Sequence, residues 1–307
     1  MPIIRDLEQL TDANRGGAVA IGNFDGVHQG HLRIVQRLLE RAKEVGGTAI
    51  VFTFDPHPVR LLRPEQCPPP LTWTKRKVEL LASHGVDKVV AYPTDEKLLE
   101  LSAEEFFDRI VLDALNTRAL VEGPNFYFGH NREGNVEVLS GLTAAAGISL
   151  DVVAPLKIDG QLVSSSLIRQ FISQGEVARA AKMLSAPYRI RGMVTHGAGR
   201  GGKLGFPTAN LEAVDTLLPR SGVYAGRAWV DARSYAAAIS LGPNPTFGEG
   251  HLKVEVHLID HDEVIYGQPL EVEFYDRLRD IVAFDSQEAL VVQMQQDISQ
   301  ARVISQR

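Results

Sequence analysis

A single cysteine, Cys67, stands among 307 residues. Neither an intrachain disulfide nor a cysteine-rich zinc site can therefore form. The chain also lacks any run of about eighteen apolar residues, which excludes a membrane-spanning helix. It has no internal repeat, no low-complexity segment and no block of like charge long enough to be an interaction tail. The formal net charge of −6 gives no general attraction to nucleic acid or to anionic membranes. The opening MPIIRDLEQL has neither the charged start nor the apolar stretch of a signal peptide, so a cytoplasmic location is expected. Nucleic acid and membrane are therefore not expected as partners; monomer and homo-oligomer both stay open. What the chain does have is 44% hydrophobic and 23% charged residues, enough apolar material for one large domain or two ordinary ones.

The first half alternates strand and helix signals. Residues 18–21 form a short apolar run that reads as a buried strand, and from 32 to 45 Leu32, Val35, Leu38, Leu39 and Ala42 fall at helical spacing. Strand, helix, strand, helix and strand are then expected at 48–54, 75–84, 88–92, 103–115 and 119–122, with a further helix at 142–146 and strand at 150–154. Strict alternation implies βαβ units and an α/β fold: a doubly wound, mostly parallel sheet covered on both faces. In such sheets ligands bind beyond the carboxyl ends of strands. After about residue 185 the texture changes to period-two runs separated by Gly and Pro, at 223–230, 235–241, 252–259 and 270–275. These imply a small antiparallel barrel, closed by an amphipathic helix from Ser286, its N-cap, to about Val303. Pro187 follows a helix expected at 176–184, which places the boundary between domains 1–186 and 187–307.

The first strand leads into GNFDGVHQGH, residues 22–31. If a helix begins near Gln29, His28 and His31 stand one turn apart at its N-terminus, among free N–H groups and the positive end of the helix dipole. Glycines let the backbone approach a ligand closely. Two histidines alone suggest a cap and a covered helix surface. With the glycines and the strand–helix context, a polyphosphate site is the better reading. Zinc is disfavoured because it needs at least a third ligand, for which His57 is a weak candidate.

The stretch resembles the HxGH signature of the nucleotidylyltransferase superfamily. Its longer form, with Phe24, Asp25, Gly26 and Val27 ahead of the histidines, resembles the prokaryotic FAD synthetases. FDPHP at 54–58, GPNFYFG at 123–129 and VSSSLIR at 163–169 match that family in order. The resemblance implies a Rossmann-like nucleotidylyltransferase domain in which Gly22, Phe24, Asp25, Gly26, His28 and His31 contact ATP. His28 and His31 would steady the departing pyrophosphate. Ser164, Ser165 and Arg169 would form a second phosphate motif, with Ser166 where the family usually has threonine. His57 and Asn125 would touch flavin, although Asn125 reads equally well as a turn residue after Pro124. The implied reaction has an FMN phosphate oxygen attack the α-phosphorus of ATP, a transfer that needs positioning and charge neutralisation more than a covalent nucleophile.

GAGRGGKLGFPTANL, residues 197–211, satisfies GxGxxG, but no apolar strand is read before it and no helix after it, so a dinucleotide-binding loop is rejected. It also fits GxxxxGK, but Leu204 replaces the required Ser or Thr and Phe206–Pro207 forbids an immediate helix. The stretch instead resembles the riboflavin kinase signature. That resemblance implies Mg²⁺ held by Thr208 and Asn210, and ATP phosphates held by these two with Gly199, Lys203, Gly205 and Pro207. Oxygen ligands that are few in number suit Mg²⁺. Gly202 stands where the family commonly has a basic residue. In 252–258, Lys253, Glu255 and His257 share one strand face, and Glu255 matches the family's catalytic glutamate. It would accept the proton of the riboflavin 5′-hydroxyl. Arg279 and Phe284 fall where relatives contact flavin.

Together the motifs imply a member of the prokaryotic bifunctional riboflavin kinase/FMN adenylyltransferase (FAD synthetase) family. Riboflavin, FMN and FAD would be its substrates and products, ATP its co-substrate and Mg²⁺ its metal. An adenylyltransferase for another phosphorylated cofactor would leave PTAN and Glu255 unexplained. A flavin-binding regulator without turnover would be expected to lose some of His28, His31, Thr208, Asn210 and Glu255, all of which are present.

Overall fold

The computed structural model describes every residue except Met1, Ala13, Asn14, Ala198, Ala232, Pro245, Phe247, Gly248 and Arg307, and only the backbone of Arg200, Lys203, Asn244, Glu249, Gly250 and His251. Backbone proximity divides the chain into two compact units. The first comprises 1–68 and 73–164, the second 69–72 and 165–307.

The first unit runs β1 (Ala18–Ile21), α1 (Gln29–Glu44), β2 (Ala49–Asp55), α2 (Pro58–Leu62), α3 (Thr74–Ser83), β3 (Lys88–Pro93), α4 (Glu96–Glu100), α5 (Ala103–Phe106), β4 (Ala119–Glu122), α6 (Val136–Ala146) and β5 (Ser149–Val152), then a small hairpin of β6 (Lys157–Ile158) and β7 (Gln161–Leu162). Helix α5 continues as a wider, π-helical segment, Phe107–Ala114. Strands β1 to β5 form one parallel sheet in the order β3-β2-β1-β4-β5, the expected doubly wound arrangement. Every residue of β1 and β4 is buried, as a central parallel strand requires, which is why β1 reads as an unbroken apolar run and β4 as one up to Glu122. Val19, Ile21, Ile50, Phe52, Val90 and Leu120 build one core with Phe106, Phe107 and Ile110. Strand order reverses between β1 and β4, and at this switch point doubly wound sheets open a crevice beyond their carboxyl ends.

The second unit begins with α7 (Ser165–Ser173) and α8 (Val177–Met183). It continues through β8 (Tyr188–Thr195), α9 (Arg200–Lys203), β9 (Ala209–Glu212), β10 (Gly222–Val230), β11 (Arg233–Asn244), β12 (Glu249–Leu258), β13 (Pro269–Arg279) and α10 (Gln287–Ile304). The strands close a barrel in the order β10-β11-β12-β9-β8-β13, antiparallel throughout. Ser286 caps α10 as expected, its hydroxyl accepting from the Ala289 N–H.

One expectation needs correcting. An amphipathic strand, β8, does precede the 197–211 loop, and a single helical turn, α9, lies within it. The alternation of buried Tyr188, Ile190, Gly192 and Val194 was obscured by the arginines between them. A dinucleotide-binding loop is still excluded, because β8 pairs antiparallel in a barrel. Helix α6 also begins six residues earlier than expected, at Val136, where the Asn135 side chain accepts from the N–H groups of Glu137 and Val138.

At Gly226, where the β10–β13 register shifts, a Cβ would lie 1.8 Å from the Glu273 carbonyl oxygen. Backbone cannot yield as a flexible side chain does. Gly226→Ala should therefore destabilise the barrel by about 3 kcal/mol, measured as a lower urea midpoint at unchanged slope.

Candidate active sites

The first site lies at the sheet's switch point. Its loop, residues 22–27, contains three positive φ angles: Phe24 at 46°, Gly26 at 82° and Val27 at 39°. For Phe24 and the β-branched Val27 this is strained backbone, held in place because both side chains are buried. His28 is the N-cap of α1. Its Nδ1 accepts from the His31 N–H at 3.2 Å, and the His28 N–H donates to His31 Nδ1 at 3.3 Å. The two rings stack with centroids 3.5 Å apart. A capping box normally pairs Ser or Thr with Glu or Gln; here two imidazoles do both jobs. Capping and ligand binding are thus compatible, since each ring spends only its Nδ1 on the helix. An Nδ1 that accepts fixes the proton on Nε2, and that N–H remains as a donor.

Both rings are neutral at pH 7. Burial pulls the His28 pKa down to about 4 against the backbone hydrogen bond and Asp25, which raise it. Burial, the neighbouring His28 and Lys77 push His31 well below the ordinary histidine range. The histidines therefore meet a ligand as hydrogen-bond donors, not as cations.

Three groups around this loop carry no motif. Buried Lys77 of α3 donates from Nζ to Thr53 Oγ1 at 3.2 Å, and Thr53 Oγ1 donates to the Asn23 carbonyl at 3.1 Å. Buried Glu122, at the end of β4, accepts the Ile21 N–H at 2.7 Å. Burial pushes its pKa well above the carboxylate range, against that hydrogen bond. Such side chains offer no local pattern in the sequence; only the fold brings α3 and the ends of β2 and β4 to this loop.

Of the remaining expected residues, Asn125 is exposed in a turn closed by the Phe126 N–H on the Gly123 carbonyl, directly after β4. His57 is the N-cap of α2, its Nδ1 accepting from the Val59 N–H at 3.1 Å. Ser164 ends the first unit, whereas Ser165 and Arg169 belong to α7 in the second, where Arg169 Nε donates to the Pro69 carbonyl at 2.9 Å.

The second site is a cavity at the barrel's side, lined by Gly199, Thr208, Asn210, Glu255, Arg279 and Phe284 among others. Strand register explains the grouping. Glu255 stands opposite Asn210 on one side and Ser240 on the other, so three polar side chains share one face. Val254, Val256 and Leu258 point into the core, as their alternation predicts. His257 ties its Nδ1 to the Pro207 carbonyl at 2.8 Å and so fixes the PTAN turn. A Cβ at Gly197 would fall 2.1 Å from Asn210 Nδ2, so that glycine makes room for the asparagine amide. Gly205, with φ 86°, and Pro207 shape the turn without lining the cavity. The Lys203 side chain lies outside the described residues.

Arg279 is clamped by the buried Asp297 of α10, with Nη2 and Oδ2 2.7 Å apart, and Gln293 Nε2 donates to the same carboxylate at 2.9 Å. Sequence reasoning missed Ser240 and Asp297, which lie in other elements than Glu255, and placed His257 on the Glu255 face without giving it a role. Among the described residues no group of three His, Cys, Asp or Glu is placed to hold a metal. The hydroxyl, amide and carboxylate oxygens of Thr208, Asn210 and Glu255 are instead hard donors of the kind Mg²⁺ accepts while keeping water.

Comparison with known proteins finds a family match for each half of the chain. Residues 10–167 match the family model described as FAD synthetase, and 184–305 the model described as riboflavin kinase. A bifunctional riboflavin kinase/FMN adenylyltransferase of Pseudomonas fluorescens is 35% identical over 99% of this chain and 98% of its own length. The protein of that name from Escherichia coli K12 is 31% identical, covering 98% and 97%. A solved Streptococcus pneumoniae structure, titled a macrolide-efflux protein, aligns at a TM-score of 0.86 and 30% identity over 98% of both chains. Here, among the described residues, no helix is long and apolar enough to cross a membrane.

The paired histidines make stability pH-dependent. His28 binds its proton near pH 4 when folded and near 6.5 when unfolded, so between these values the unfolded chain holds more protons. Stability of the first unit should fall as pH drops from 6.5 to 4, His28 alone contributing up to about 3 kcal/mol. His28→Asn retains a capping acceptor and removes the proton site; thermal unfolding midpoints should show a shallower pH slope in this variant.

Proposed function

The chain belongs to the family of bifunctional riboflavin kinases/FMN adenylyltransferases, and we infer that each of its two candidate sites performs one of the two steps. Riboflavin and ATP give FMN and ADP in the barrel; FMN and a second ATP give FAD and pyrophosphate at the parallel sheet. We assign adenylation to residues 1–186 and phosphorylation to 187–307.

In the barrel, Glu255 is the base. It faces Asn210 across the strand pair in the cavity that also holds Thr208, and this juxtaposition carries the reading. Its carboxylate takes the proton as the riboflavin 5′-oxygen attacks the γ-phosphorus. Thr208 and Asn210 would hold Mg²⁺, which when bound neutralises charge on the phosphates. Gly199 brings backbone close to phosphate, with Gly205, Pro207 and Lys203 in the same loop. Phe284 offers a ring to flavin, and the Asp297 clamp sets the position of Arg279 beside it.

At the parallel sheet, His28 and His31 offer Nε2–H donors at the start of α1, where the helix dipole and free N–H groups favour anions. As an FMN phosphate oxygen displaces pyrophosphate from the α-phosphorus, these donors hold the leaving group without exchanging a proton. We assign the Gly22–Phe24–Asp25–Gly26 backbone to ATP, Ser164, Ser165 and Arg169 to a second phosphate motif, and His57 and Asn125 to flavin. An ATP-dependent reaction of this kind suits the cytoplasm.

Glu255→Ala should lower FMN formation at least about 100-fold while FAD is still made from supplied FMN, followed by chromatography of flavins. His28→Ala with His31→Ala should do the reverse and let FMN accumulate. Parallel loss of both steps in a folded Glu255→Ala variant would overturn the assignment of that residue.

A further inference from the structure

The first site poses an electrostatic question. It is to receive a polyanion, yet its two histidines are neutral at pH 7 and its loop carries buried Asp25. An uncompensated buried carboxylate beside a triphosphate would oppose binding. Asp55, at the end of β2, is paired with Arg5 at 2.9 Å. Lys77, from α3, interacts electrostatically with Asp25, Asp55 and His31, and its Nζ is fixed by Thr53 Oγ1 at 3.2 Å.

Lys77 is also a poor surface residue and a costly core one. It is only 7% exposed, and an ammonium is seldom buried without a specific purpose. Burial lowers its pKa, while Asp25 and Asp55 favour the charged form. Its hydrogen bond to Thr53 continues through the Thr53 hydroxyl to the Asn23 carbonyl. That carbonyl precedes Phe24, the first of the strained residues. A chain of two hydrogen bonds thus runs from the ammonium to the loop that leads into His28.

We propose that Lys77 is a positioning residue of the adenylation site: it holds the 22–27 loop through Thr53 and offsets the Asp25 charge, so that the α1 terminus accepts the ATP triphosphate. This rests on the assignment of ATP to the His28–His31 site. Lys77 needs no contact with substrate for this role. Its effect is on ground-state binding of the anion more than on the transfer itself.

The test uses the full chain and steady-state FAD formation from FMN and ATP. Lys77→Met should raise the KM for ATP at least tenfold, with kcat at saturating ATP and the KM for FMN changing less than threefold. Lys77→Arg, which keeps the charge, should restore the ATP KM to within threefold of the parent. An unchanged ATP KM in folded Lys77→Met, or equal defects in the Met and Arg variants, would overturn the proposal. Should Lys77→Met fail to fold, Thr53→Val breaks the same relay without unpairing a charge. A rise of several fold in ATP KM then supports the proposal, and no change overturns it. His28→Ala with His31→Ala separates the two levels. Loss of FAD formation there, beside an unchanged ATP KM in Lys77→Met, defeats the lysine's role alone. Full activity in the histidine variant defeats the site assignment itself.

Discussion

The reciprocal hydrogen bonds between His28 and His31 are the constraint around which the first unit is arranged. An α-helix starting beside a buried strand leaves several N–H groups without partners, and here they open into the crevice where β1 and β4 part. A Ser–Glu box would satisfy two of them but would place a carboxylate where the proposed function puts an anion. Two imidazoles satisfy the same N–H groups and leave two neutral donors in that place. The ring stacking follows from that choice, and burial of the two rings in the cap is what chiefly depresses their proton affinities. Neutral donors in turn leave the charge balance to other residues, and those come from neighbouring elements.

The surroundings of the helix terminus are fitted to the same end. Beyond Val19 the β1–β4 register ends, and the Glu122 carboxyl takes the Ile21 N–H that a ladder carbonyl would otherwise receive. Strand separation therefore leaves no orphaned donor on Ile21. On the other side, Thr53 at the β2 end links Lys77 to the loop. The barrel solves a similar problem by register alone. Closing six antiparallel strands sets Ser240, Glu255 and Asn210 abreast, and α10 adds the Asp297 carboxylate that fixes Arg279.

Legibility followed periodicity and motif. The runs at 18–21 and 119–122 read as strands because both faces are buried, and they coincide with β1 and β4. The Lys253–His257 alternation was equally plain, since one face is core and the other lines a cavity. Strand β8 was missed because arginines interrupt it. Arg189 is held by Glu271 at 2.6 Å and by Glu273, partners eighty residues away that no local window contains. Lys77, Glu122 and Asp297 were invisible for the same reason: Lys77 stands beside Lys75 and Arg76, Asp297 follows two glutamines and Glu122 merely ends an apolar run, so no local pattern singles any of them out. Only the fold shows that each is buried against a partner.

A chain of net charge −6 that must bind ATP twice cannot rely on its overall field. At physiological ionic strength that field is screened within about 8 Å, so affinity for phosphate must be built locally and out of reach of bulk solvent. The two units do this differently. The barrel gathers oxygen donors and a carboxylate, a set that suits a divalent cation carried in with the nucleotide. The parallel sheet offers fixed donors at a helix terminus, where a metal-binding carboxylate cluster is absent among the described residues. For a leaving pyrophosphate the second arrangement has an advantage. Donors that are already in place need no reorganisation as charge develops, and neutral ones would hold a polyanion less tightly than two imidazolium rings, which suits the proposed departure of pyrophosphate.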